Sequence, residues 1–488
     1  MMPVFVPDPA LPSIPKHEWK LADSEIQTRD PQKTQKIIQA TIDACAAAGG
    51  GRVTIPDGCF LTGPLQLKSH VELHLSDRTF LIFSRNYEDY PLIMSYYEGY
   101  PSVRCTSPIW ATDAEDIAIT GHGIMDGNGD AWWYVRRWEQ SDENWNFILK
   151  WRGGLDDQDP HRHVWWPDAS QKEGSLYFLS HSGLVNNIEE AKPYQGFFRP
   201  CMIELIRCKR ILLTDFTVQN SPAWTIHPLM CCDFTADKLI IKAPWDAPNT
   251  DGINMECTQS ALVRNCLIDV GDDAVCCKAG KNAAGRRIGI PTRNIHIDSC
   301  QVYAAHGGFV IGSETACGID NVIVEHCRFN KTDRGLRFKS AYGRGGKIQN
   351  IWIHDIIMTR ILKEAISMIM FRDLAAMPKD YPKNPDGSFR YAPEDMPVFS
   401  NIYMDQIYCS GALYGIRVLG LPGIILRDIH LSHACLESKI GMKYDRANSF
   451  FLDDVTLINE RNSDQRVSFD HAMLSDQPTD IIWDGPSA

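Results

Sequence analysis

Asn294-Ile295-His296-Ile297 returns as Asn321-Val322-Ile323-Val324, then as Asn350-Ile351-Trp352-Ile353 and Asn401-Ile402-Tyr403-Met404. Weaker copies follow at Gly423-Ile424-Ile425-Leu426 and Ser449-Phe450-Phe451-Leu452. A second short apolar run trails several copies, as in Gln301-Val302, Arg328-Phe329 and Ile356-Ile357. The steps are about 22 to 29 residues, except one of about 51 that holds a Pro- and Asp-rich insertion. Strand-like units at that period predict a solenoid in which each coil stacks on the last. An alternating α/β fold would need helical patterns between these strands, and none is there. Propeller blades run to ~40 residues, longer than the steps here. The fold expected is therefore all-β: a right-handed parallel β-helix. The asparagine heading each copy predicts an asparagine ladder at a turn.

Outward from the repeat, the texture stays β-rich. Val53-Thr54-Ile55, Leu65-Gln66-Leu67, Val71-Glu72-Leu73-His74-Leu75 and Ile117-Ala118-Ile119 alternate with period two. Ahead of them lies one helix. Asp30-Pro31 supplies an N-cap and a proline at the first helical position. Ile38, Ile42 and Cys45 then recur at helical spacing, and Gly49-Gly50-Gly51 ends the run. A helix over 30–48, after an N-terminal segment 1–29, would cap the open end of the solenoid core. The expected organisation is a single catalytic β-helix domain, 1–488, with loop insertions at 131–200 and 374–398. The first insertion holds seven of the thirteen tryptophans and ends at Arg199-Pro200. It is too long and aromatic for a turn. It predicts a satellite core, a wall beside a sugar site, or both.

Bulk properties narrow the function. A formal charge of −12 argues against non-specific nucleic-acid binding and means that an anionic substrate needs a local cationic site. The sixteen cysteines lack zinc-ligand spacing and are expected to be reduced, buried small hydrophobes. No apolar run of ~18 residues predicts a membrane span, and the N-terminus lacks a signal-peptide pattern. The expected location is cytoplasmic.

Chemistry-bearing residues cluster in the same register. Asn249-Thr250-Asp251-Gly252, Gly271-Asp272-Asp273, His306-Gly307-Gly308 and Arg337-Phe338-Lys339 follow one another at steps of about 21, 34 and 31 residues. If each step is one coil, rungs of a parallel ladder place these residues about 4.8 Å apart on one face. Acids beside a histidine and cations suit hydrolysis of a charged sugar polymer. One carboxyl group must protonate the leaving oxygen while another carboxylate attacks or activates water. Taken singly, Asp-Gly is a turn, Asp-Asp a solvated loop or calcium ligand, and Arg-x-Lys a solvated strand face. Their common register favours the functional reading. Adjacent strand residues face opposite ways, so Asp272 and Asp273 can share a cleft only if a turn or bulge lies at Gly271.

The four runs resemble the motifs of the polygalacturonase family, glycoside hydrolase family 28: Asn-Thr-Asp, Gly-Asp-Asp, Gly-His-Gly and Arg-Ile-Lys, in that order. Met125-Asp126-Gly127-Asn128-Gly129 with Trp132-Trp133 resembles bacterial members, and the likeness spans roughly residues 20 to 460. The resemblance implies a right-handed β-helix and an inverting mechanism. It makes Asp272 the general acid and gives Asp251 and Asp273 the attacking water. His306 supports the acid, Asn249 contacts substrate, and Arg337 and Lys339 hold the substrate carboxylate. It implies no metal and no cofactor, and a pectic oligogalacturonide as partner, with no nucleic acid or membrane. Inversion implies a gap of about 6.5–9.5 Å between Asp272 and the Asp251/Asp273 pair. Ala305 and Phe338 depart mildly from the motifs, and Phe371 stands where the family often has a tyrosine. Lys278-Ala279-Gly280 resembles a Lys-Ser-Gly segment of bacterial relatives.

The retained Arg337 and Lys339 favour galacturonate over rhamnogalacturonan, since Arg grips a carboxylate bidentately and Lys adds a point charge. The two insertions are candidate walls that would make the enzyme exo-acting from the non-reducing end. Alternatives are a hydrolase of rhamnogalacturonan or xylogalacturonan, a calcium-dependent pectate lyase, and a non-catalytic carbohydrate-binding β-helix.

Overall fold

The computed structural model describes residues 5–21, 30–151, 153–156, 163–181, 185–370, 384–385, 390, 392–421, 423–475 and 477–483. They divide into two compact units. The first is Ala10–Asn254 with Asp269–Asp272; the second is Met1–Pro9, Met255–Ile268 and Asp273–Ala488.

The first unit is built from three parallel stacks. Strands Glu18–Lys20, Gly51–Ile55, Val71–Leu75, Glu115–Gly121, Lys209–Thr214 and Cys232–Asp237 pair in that order. Gly58–Thr62, Thr79–Phe83, Ile124–Asp126, Thr217–Gln219 and Ile240–Lys242 form the second stack. Leu65–Gln66, Ile109–Thr112, Ile203–Ile206 and Ile226–Leu229 form the third. One strand from each stack makes a coil, which is a parallel β-helix. It is right-handed, as parallel crossovers almost always are. The helix Pro31–Ala47 forms as expected. Asp30 accepts hydrogen bonds from the Gln32 and Lys33 amides at 3.0 and 3.2 Å, and Thr34, Ile38, Ile42 and Cys45 are buried.

In the second unit the repeat becomes long strands in register. Gln259–Arg264, Thr292–Asp298, Ile319–Asn330, Lys347–Thr359, Val398–Ser410, Ile425–Ser438 and Phe450–Asn459 pair successively. A second stack runs Asp273–Lys278, Gly307–Ile311, Arg334–Lys339, Glu364–Ile369, Tyr414–Leu419 and Ile440–Asp445. Antiparallel strands Asn462–Phe469, Ala472–Leu474 and Thr479–Ile481 cover the last coil. The register stacks like on like: Ile295, Val322, Ile351, Ile402 and Ile429 form one buried row. Outside, Trp352, Tyr403, His430 and Phe451 stack with centroids 5.7, 4.6 and 4.6 Å apart.

The recurrent asparagines have a conformational cause. Asn294, Asn321, Asn350 and Asn401 have φ between 52 and 58°. Asparagine tolerates this left-handed region better than any other side chain but glycine, and one such residue turns the chain at a corner. Their amides ladder between coils: Asn321 donates to Asn294 at 2.7 Å and Asn401 to Asn350 at 3.2 Å, while Asn350 donates to Asp320 at 2.7 Å.

Within the described part of the 131–200 insertion are three helices, Asp142–Ile148, Ala169–Ser180 and Ile188–Ala191, and a small antiparallel sheet centred on Val164–Trp166. Trp132, Trp145, Trp165 and Trp166 are buried, so the satellite core is present. Phe371 and most of the 374–398 insertion lie outside the described residues. The sixteen cysteines form no disulfide among the described residues, and twelve are buried. No described helix is long and apolar enough to cross a membrane.

Candidate active site

In the first unit the acidic motifs are tied together by backbone chemistry. The loop Ala243–Asp251 carries Asn249 in the left-handed region, at φ 59°. Thr250 is buried; its hydroxyl donates to the Ala247 carbonyl at 2.9 Å and accepts the Gly271 amide at 3.0 Å. Any Cβ on residue 271 would lie 2.4 Å from the Ala247 oxygen and 2.7 Å from the Pro244 oxygen, so only glycine fits. Gly271 and Asp272 form a bend just ahead of the strand Asp273–Lys278. The turn expected there is thus present. It frees Asp272 from the strand alternation that would have opposed it to Asp273.

Asp251 is buried and accepts a hydrogen bond from Asn254 Nδ2 at 2.9 Å. Asp251 and the half-buried Asp272 each offer a carboxylate oxygen within 4.8 Å of the other. This corrects the expected gap of about 6.5–9.5 Å for this pair. The Thr250–Gly271 hydrogen bond draws the two motif backbones together and closes that space. Carboxylates this close disfavour double ionisation, which suits a pair where one member carries a proton.

The insertion reaches this loop directly. Arg199 Nη1 donates to the carbonyls of Pro222 and Pro248 at 3.1 and 2.8 Å, and its Nη2 to Asn249 Oδ1 at 2.8 Å. The Tyr134 hydroxyl donates to the same oxygen at 3.3 Å and accepts from Arg136 at 2.8 Å. Gln140 donates to Asp246 at 2.9 Å. The insertion is therefore both a satellite core and a brace on the Asn-Thr-Asp motif. Sequence reasoning missed Arg199 and Tyr134; the one signal was that the aromatic stretch ends in Arg199-Pro200.

The second unit holds the cationic motif. Asp273 is buried at 1% exposure, yet its carboxylate meets Arg337 Nη1 at 2.8 Å and Lys339 Nζ at 2.7 Å. Burial alone would push its pKa up. Lys339, Arg337 and Lys278 together reverse that and hold it far below the usual carboxylate range. Arg337 and Lys339 thus ion-pair with an acid of the set, a contact that the cation motif alone did not foretell. The ladder explains the meeting. Asp273 pairs with Gly307 on the next strand, whose Val310 pairs with Arg337 on the one after. A Cβ at Gly307 would lie 2.5 Å from Val310 Cγ2 but only in ordinary contact, at 3.4 Å, with Asp273 Oδ1 and Arg337 Cδ, so it is Val310 that demands the small residue. His306 is half-buried and immediately precedes Gly307.

Lys278 is buried and pairs with the equally buried Glu314 at 3.2 Å. Burial would raise the Glu314 pKa, but Lys278, Lys281, Arg344 and Lys339 hold it well below normal. Lys278 thus adds positive field at Asp273 from a fixed position. Glu314 was not foreseen, since its partner lies 36 residues away with no repeat linking the two.

A β-helix with a close acid pair, Asp251 and Asp272, and a cation-clamped carboxylate, Asp273, has the parts of a glycoside hydrolase. The comparisons agree. Residues 186–370 match the family model for Glycosyl hydrolases family 28. It is 26% identical to "Probable polygalacturonase" of Vitis vinifera over 85% of this chain and 73% of that one. It is 28% identical to the exo-poly-alpha-D-galacturonosidase of Dickeya chrysanthemi, over 74% of this chain and 56% of that protein. The crystal structure of the hyperthermoactive exopolygalacturonase from Thermotoga maritima superposes with a TM-score of 0.78 at 27% identity, covering 97% of both chains.

Proposed function

We propose that the chain hydrolyses α-1,4-linked galacturonides of pectic origin, with inversion, releasing galacturonate from the non-reducing end. Inversion is inferred from the likeness to family 28 and not from the carboxylate spacing, which is shorter than the general rule for inverting enzymes. The observation that carries this is Asp273, buried yet held ionised between Arg337 and Lys339. A carboxylate kept charged in that way holds the attacking water by accepting its hydrogen bond, and it gains basicity when the substrate carboxylate takes up Arg337 and Lys339. Asp272 gives its proton to the glycosidic oxygen as the C1–O bond breaks. Water forms the new bond to C1 from the opposite face and passes its proton to Asp273, with Asp251 sharing the water. His306 supports the protonated state of Asp272. Arg337 and Lys339 also bind the carboxylate of the sugar beside the scissile bond, and Asn249 contacts substrate from the loop that Arg199 braces.

The exo reading is supported by the insertion braced on Asn249 and by likeness to exo-acting relatives. A product time course on polygalacturonate checks it. Monogalacturonate or one fixed short product from the first turnovers is the expected result. A spread of mid-length oligomers at early times would show endo action.

A further inference from the structure

Beside the Asn-Thr-Asp motif, whose Asp251 and Gly252 carbonyls accept the Thr225 and Ile226 amides at 2.8 and 3.0 Å, the first unit buries a second cluster of reactive side chains: Cys201, Glu204 and His227. Their exposures are 3, 4 and 0%. Glu204 lies on the strand Ile203–Ile206 and is the register partner of His227 on the next strand; Cys201 just precedes the first of these strands. His227 Nδ1 is 3.8 Å from Cys201 Sγ and 3.6 Å from Glu204 Oε1. One ligand atom from each of the three lies within 4.8 Å of the others. We propose that Cys201, Glu204 and His227 form a structural site for a borderline-soft divalent cation of the zinc class.

The chemistry of the set points to that class. Thiolate, imidazole and carboxylate together are typical zinc donors, whereas calcium and magnesium take oxygen ligands. Around a tetrahedral zinc ion, neighbouring donor atoms stand about 3.3–3.6 Å apart. The Cys201–His227 and His227–Glu204 separations need a contraction of only a few tenths of an ångström. The same imidazole nitrogen faces both other donors, as coordination requires. An outer shell is in place. Ser95 Oγ donates to Glu204 Oε1 at 3.0 Å and Ser107 Oγ to Oε2 at 3.1 Å, which fixes the carboxylate as outer partners of metal ligands do. Trp224 packs edge-on against His227 at 4.9 Å, and Tyr97 stacks on Trp224 at 4.8 Å, giving an aromatic wall. The fourth position falls to a water or to one of the serine hydroxyls. A site this buried fills as the chain folds.

The test is metal content and cobalt spectroscopy on the full chain, purified without chelators. The expected result is about one zinc per chain. Cobalt(II) loaded in its place should give a thiolate-to-metal charge-transfer band, and a strong chelator should lower the melting temperature. Cys201→Ala and His227→Gln should lose the metal and the band. If either variant fails to fold, the wild-type cobalt spectrum decides alone. A wild-type chain that is metal-free as purified and shows no such band overturns the proposal, as does a band that persists in folded Cys201→Ala.

Discussion

Asp273→Asn should remove both turnover and a large part of the stability, whereas Asp272→Asn should remove turnover alone. Asparagine at 273 keeps the shape but not the charge, so Arg337 and Lys339 lose their shared anion in a buried setting. Removing one partner of a buried pair costs about 3–5 kcal/mol, because a charge is left uncompensated. The lost base costs a further ~10²–10⁴-fold in kcat. Asp272 is half-buried and outside the strand, so its replacement costs at most about 1 kcal/mol. Its loss as acid lowers kcat by a similar ~10²–10⁴-fold. Urea unfolding and kcat on galacturonan oligomers, measured side by side, separate the two. Equal stability of both variants would mean that the Asp273 clamp is not what the geometry indicates.

The same clamp sets a pH dependence. Asp273 has a folded pKa below its unfolded value, so its stabilisation is present above the unfolded value. The contribution starts to fall once pH drops below about 3.9 and is gone only below the depressed folded value. Asp273→Asn should therefore flatten the acid side of the stability curve. If the wild type and the variant lose stability in parallel there, the carboxylate is not clamped.

Gly271→Ala should be nearly as damaging to activity, by a different route. The added methyl would meet the Ala247 and Pro244 carbonyls at 2.4 and 2.7 Å, and both are backbone atoms that cannot swing away. Overpacking of this kind costs ~1–3 kcal/mol. The forced shift carries Asp272 with it, and a displacement of about 1 Å at a reacting group can cost 10²-fold in rate. Thr250→Val tests the partner contact: it leaves the buried Gly271 amide without its acceptor, at about 1–3 kcal/mol, whereas Thr250→Ser keeps the hydroxyl and should resemble the wild type. Wild-type kcat/KM in Gly271→Ala would show that the motif geometry does not depend on this contact.

The parts of the fold written in the sequence are those a repeat must repeat. The asparagine row was legible because a solenoid corner demands a left-handed residue in every coil, at Asn294, Asn321, Asn350 and Asn401 alike. The capping helix was legible from Asp30-Pro31 and three buried apolar positions. The acid and cation motifs were visible because each comes one coil after the last, the cations within the strand Arg334–Lys339. What escaped lies between elements that share no period. Arg199 and Tyr134 reach Asn249 from an insertion that no repeat predicts. Glu314 meets Lys278 through a loop. The short Asp251–Asp272 approach follows from one hydroxyl, Thr250, whose role shows only once Gly271 is seen against it. A cation motif also reads the same whether it waits for a substrate or holds Asp273.

The most direct test of the central claim is proton NMR of the first sugar released from a galacturonan oligomer, recorded faster than the anomers interconvert. A water activated by Asp273 and attacking opposite the leaving group must give the β-anomer from an α-linkage. An α-anomer, or a 4,5-unsaturated product without uptake of water, would contradict the account.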